Sequence, residues 1–167
     1  MEERKIKLKK NNVLRLEIET EEGVKTGEFL EFDLEDIELP LKYVELIEED
    51  KKNKKWLRDE QIIIDKREDT NVKGELMSKN MIDKFKALET FFKKEVEIYN
   101  GFLGENGVQK LLNGQKLGWT SLEMVDEIIE EQIVPHLDLT LANINSKIKE
   151  KYGKAVERQK KVLEVDE

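Results

Sequence analysis

Several stretches of the chain carry residue types that bind ions, phosphates or protons, and each fails on its chemistry. Asp69-Thr70-Asn71-Val72-Lys73-Gly74 opens like a calcium loop, with Gly74 at the sharp turn. Lys73 then takes a ligand position, and Asn80 stands where a bidentate Glu must close the site. A divalent cation there meets a positive charge and too few negative ones. Gly101, Gly104 and Gly107 recur every third residue, and Gly114-Gln115-Lys116 follows. A phosphate loop needs a Gly-Lys pair, then Ser or Thr, between a strand and a helix. Here the glycines follow a predicted helix, and Leu117 follows Lys116. His136 is the only histidine, beside Pro135, and no serine motif accompanies it. With no cysteine in the chain, neither a catalytic triad nor a thiolate metal site is supported. Glu130-Glu131 and similar acid pairs lie on solvated faces, whereas catalytic acids need a dry pocket that separates their pKa values. The chain reads as non-enzymatic, with no cofactor and no metal.

Its overall charge narrows the partners. The net charge is −8 and the pI about 5.0, which argues against phosphate-driven nucleic-acid binding. Lys51-Lys52-Asn53-Lys54-Lys55 is bracketed by Glu48-Glu49-Asp50 and Asp59-Glu60, so its far field largely cancels. Charged residues reach 41%, yet Leu, Ile, Val and Phe still supply 51 of the 167 residues. That share lies well above the roughly 20% below which disorder is expected, so a folded domain follows. No apolar run approaches the ~18 residues of a membrane span, and the Met1–Lys10 segment lacks a signal-peptide centre. The expectation is a cytoplasmic protein that uses neither membrane nor nucleic acid.

The elements that must position any site follow from hydrophobic period. Leu14, Leu16 and Ile18 alternate with charged residues, and Leu30, Phe32 and Leu34 do so beyond a turn at Gly23. This is an antiparallel hairpin, extended to three strands if Ile6 and Leu8 form a lysine-lined edge. From Asp36 the period turns helical, with Pro40 in the first turn and Tyr43, Leu46 and Ile47 in a stripe. Glu48 to Lys55 is polar helix, and Gln61–Asp65 is open between helix and strand because of its isoleucine run. After a loop from Arg67 to Gly74, the spacing predicts a helix over Leu76–Tyr99. Met77, Met81, Phe85, Leu88, Phe92, Val96 and Tyr99 form one buried face, and Gly101 a left-handed cap. A short helical piece follows around Val108–Leu112. Thr120 and Glu123 have capping-box spacing ahead of Leu122, Val125, Ile128, Ile129 and Ile133, and Pro135 should stop or kink that helix. The expected fold is α+β, mostly α, with the hairpin on about four to five helices. Residues 1–134 form the domain and 135–167 a helical arm.

The residues left for a binding role are the apolar ones around the glycines. Phe91, Phe102, Leu103, Leu111, Leu112 and Trp119 either cap the core or line a docking groove for an apolar helix. Phe91-Phe92 followed by Phe102-Leu103-Gly104-Glu105-Asn106-Gly107-Val108-Gln109-Lys110-Leu111-Leu112-Asn113-Gly114 resembles the tail assembly chaperones of long-tailed bacteriophages and prophages. Those proteins carry a paired-Phe helix, a Phe-x-Gly-Glu-Gly-like turn and a Lys-hydrophobic-x-Gly piece. The resemblance spans roughly Val13 to Val134. Asn106-Gly107 departs from the tighter Glu-Gly turn, and so do the long polar helix before it and the arm after Pro135. The resemblance implies a non-enzymatic protein that coats the helix-rich tape-measure protein until tail-tube subunits displace it, with self-association as a further expectation. A structural or adaptor protein of a phage particle, or a small regulatory protein, is the alternative.

Overall fold

A computed structural model of the chain describes residues 5–9, 12–70 and 76–165. Two antiparallel strands, β1 (Val13–Glu19) and β2 (Lys25–Asp33), pair Leu14 with Phe32 and Leu16 with Leu30. Leu30 and Phe32 are buried, while Leu14, Leu16 and Ile18 pack at the edge of the core. The opposite face is wet: Arg15 lies 3.9 Å from Glu31 and its guanidinium sits over the Phe29 ring. Gly23, at φ 79°, supplies the left-handed residue of the turn. Among the described residues the expected third strand is not formed. Residues 5–9 are irregular, and Ile6 and Leu8 are exposed, having no apolar surface to cover.

Asp36 starts α1 (Glu38–Asp65) by accepting the Glu38 amide on its carboxylate. The inward face of this helix runs Leu39, Tyr43, Leu46, Asp50, Asn53, Leu57, Glu60 and Ile64, alternating steps of four and three. That is a heptad seam with polar residues at its centre. It also settles Gln61–Asp65 as helix, because Ile64 falls on the seam and continues the ladder. Asn80 then ties α1 to the next element, donating to the carbonyls of Ile64 and Arg67. Asp69 accepts from the Ser78 hydroxyl and from the Asn80 amide, and these bonds hold its carboxyl below the usual range. The two residues described at the ends of the calcium-like stretch therefore serve as caps; residues 71–75 between them lie outside the described residues.

Ser78 caps α2 (Lys79–Leu103) through the Met81 amide. This helix begins later and ends later than its spacing suggested. Gly101 is an ordinary helical residue, and Gly104, at φ 96°, ends the helix. The chain then turns through a left-handed Asn106 into α3 (Gly107–Leu112). A Cβ on Gly107 would lie 2.5 Å from Leu103 Cβ, so only glycine lets α3 fold back on α2. Asn100 fastens this return, accepting the Val108 amide and donating to Gln109. The Phe-Leu-Gly-Glu-Asn-Gly run is thus a helix-reversal device.

The next helix, α4 (Trp119–Ile128), does not use the expected Thr120–Glu123 box. Gly118 is its first cap, and its amide donates to Ser121 Oγ at 2.8 Å. Pro135 does not end the helix either. Its missing N–H and its ring are accommodated by a π-helical turn over Ile129–Ile133, after which α5 (Val134–Val165) continues. Leu137 and Thr140 are still buried, so packing runs past Pro135 before the helix leaves the body. Among the described residues the fold is α+β and mostly helical, a two-stranded hairpin on five helices.

Candidate helix-docking surface

One stripe of α2, lying toward α1, carries Ala87, Phe91 and Phe102, all buried. Asn53 of α1 reaches the Phe91 carbonyl at 3.1 Å, which fixes that side as the α1–α2 seam. Met81, Phe85, Leu88, Phe92 and Tyr99 recur at steps of three, four and seven and share a neighbouring stripe. This second stripe has two fates along its length.

Its C-terminal half is covered by α4. Trp119 packs on Phe92 with ring centroids 4.9 Å apart, and on Phe91 at 5.3 Å. Seven residues further on in both helices, Tyr99 donates its hydroxyl to Asp126. Burial, and next the bond to Asp126, hold the Tyr99 phenol far above its ordinary range. Equal steps on both helices mean that α4 runs parallel to α2 and starts opposite Phe92. The N-terminal half is left open by the described residues. Phe85 is 54% exposed and Met81 47%, and Trp119 at the border is 51% exposed. The α1–α2 pair therefore offers a position for a third helix that α4 fills over only half of its length.

The residues expected to bind a partner divide accordingly. Phe91, Phe102, Leu103 and Leu112 are buried in the core, and Leu111 is half-buried against it. The ring of Phe102 contacts Phe32 and Tyr43, so it joins hairpin to α1. Trp119 is exposed, and beyond it so are Phe85 and Met81, which pattern alone had assigned to a buried face. What separates them is where α4 begins: its first residue, Trp119, lies against Phe92, so Phe85 and Met81 fall beyond its start.

Two other surfaces were open to a functional role. A groove of about 630 Å³ lies where the hairpin exit meets α5, between Leu34 and Glu35 and the side chains of His136, Leu139 and Ile144. Its lining brings one histidine near Glu35 and includes Ser146 and Thr140, whose hydroxyl is taken up by the His136 carbonyl. The outward part of α5 exposes Leu141, Ile148 and Tyr152. Among the described residues, no cluster of His, Asp or Glu has metal-binding geometry, and no helix is long and apolar enough to cross a membrane. Comparison with protein-family models finds no match, and comparisons with curated proteins and with solved structures find none either.

Proposed function

We propose that this chain is a non-enzymatic holding protein that shelters an amphipathic helix of another protein on the open half of α2. The carrying observation is the apolar track Met81–Phe85–Leu88–Phe92, which α4 covers from Trp119 onward and leaves bare before it. An incoming helix continues the line of α4 and completes a three-helix layer, the helix-in-groove mode of recognition. Fully burying a side chain of this size is worth roughly 1.5–3 kcal/mol. Finishing the burial of Met81, Phe85 and Trp119 supplies about half that from each. Methionine and aromatic side chains also suit a surface that must accept helices of varied sequence.

The likeness of the Phe91–Gly114 region to tail assembly chaperones names the partner class. It is the long, helix-rich tape-measure protein of a phage tail, held in the host cytoplasm until the tube polymerises. An acidic, highly charged exterior keeps such a complex dispersed, while the apolar track hides surface that otherwise aggregates. Co-expression with a cognate tape-measure fragment is expected to raise the fragment's soluble yield, and Phe85→Glu to abolish the gain while the variant still folds. An unchanged yield with the wild-type chain, or full activity of Phe85→Glu, contradicts the reading.

A further inference from the structure

Beneath the α1–α2 seam lies a polar layer that the binding surface does not use. Glu95 of α2 has no solvent exposure. Its Oε1 accepts from Asn53 Nδ2 at 2.7 Å, and its Oε2 has no hydrogen-bond partner among the described residues. Asp50 of α1 faces it. The Asp50 Oδ2 pairs with Lys54 Nζ at 2.8 Å, and its Oδ1 is likewise buried and without a partner. Two facing carboxylates each present one dry, unsatisfied oxygen. Buried polar atoms are rarely left so, and a single proton between them satisfies both.

We propose that Glu95 and Asp50 share one proton in the folded protein, and that this proton is a latch holding α1 to α2 that opens as the solution turns alkaline. The carboxyl of Glu95 donates to Asp50 Oδ1, and Lys54 neutralises the charge that remains. Loss of the proton to solvent leaves two carboxylates facing each other, with one ammonium, that of Lys54, paired to Asp50 Oδ2. Among the described residues, the charged and titratable groups around Asp50 and Glu95 are Lys54 on α1, Tyr99 on α2 and Asp126 on α4. Tyr99 already donates its hydroxyl hydrogen bond to Asp126, so it does not relieve Glu95. Burial, together with Asp50, pushes the Glu95 carboxyl up to about 8 from an ordinary 4.5. The folded state thus holds a proton that the unfolded state has lost. Stability from this pair is complete below pH ~4.5, falls as pH rises, and is gone above pH ~8. The slope is about tenfold in the folding equilibrium per pH unit.

The test is carbon-13 NMR of the intact chain labelled at the glutamate carboxyls, beside urea unfolding from pH 5.5 to 8.5. One glutamate signal is expected to titrate near pH 8 and to vanish in Glu95→Gln. That variant, whose amide still donates to Asp50, is expected to flatten the pH slope, while His136→Gln leaves it in place. Asp50→Asn is expected to lower the midpoint of the Glu95 signal, which can be read even if Glu95→Gln folds poorly. If every glutamate titrates below pH 6, or the midpoint is indifferent to Asp50→Asn, no proton is shared. If Glu95→Gln folds and keeps the wild-type slope, the proton is not a latch.

Discussion

Two glycines six residues apart, Gly101 and Gly107, should respond in opposite directions to the same added methyl group. Gly101 lies inside α2 with a helical backbone, and nothing stands within 4 Å of the Cβ it lacks. Alanine there gains the helix-propensity difference of about 0.8–1.0 kcal/mol. At Gly107 the new Cβ meets Leu103 Cβ at 2.5 Å, and that atom is fixed to the α2 backbone rather than free at the end of a side chain. Either the last turn of α2 or the whole of α3 must shift. Overpacking of this kind costs about 1–3 kcal/mol, against which the stiffer unfolded chain returns about 0.4–1 kcal/mol. The net expectation is a loss of about 1–2 kcal/mol for Gly107→Ala and a gain of about 1 kcal/mol for Gly101→Ala. Urea unfolding at pH 6, followed by far-ultraviolet circular dichroism, reads both as shifts in midpoint at unchanged slope. Destabilisation by Gly101→Ala would mean that this residue is a left-handed cap and that α2 ends there. Stabilisation by Gly107→Ala would mean that α3 does not close on Leu103.

Other perturbations check separate parts of the structure. Phe91→Ala, in the core, should cost about 3–5 kcal/mol, whereas Phe85→Ala, half in solvent, should cost under about 1 kcal/mol. Asn80→Ala removes the bonds to the Ile64 and Arg67 carbonyls and should lower stability by about 1–2 kcal/mol, measured by thermal unfolding. Truncation after Ile144 should leave a cooperative unfolding transition. Truncation after Val134 also removes the buried Leu137 and should cost at least the ~2–5 kcal/mol of a large core deletion.

What the sequence made legible was what repeats. Alternation at Leu14–Ile18 and Leu30–Phe32 marked the hairpin, and steps of three and four marked each long helix. Ends were harder, because they depend on single residues in tertiary contact. Gly101 reads as the cap from spacing alone, and only the return of α3 fixes Gly104 as the residue with positive φ. Pro135 looks like a terminus because a π turn leaves no pattern of its own. The polar layer was visible only as Asn53 and Glu95 interrupting apolar stripes, an interruption that equally describes a solvated face. The docking surface was hidden for a related reason. Periodicity shows which residues share a side of α2, but not that α4 begins opposite Phe92 and leaves Met81 and Phe85 uncovered.

Backbone hydrogen exchange of the chain, alone and with a cognate tape-measure fragment, measures where a partner helix sits. The account predicts new protection over the N-terminal half of α2, around Met81–Leu88, and at the start of α4 around Trp119. Protection confined to α5, with α2 exchanging as in the free chain, would contradict it.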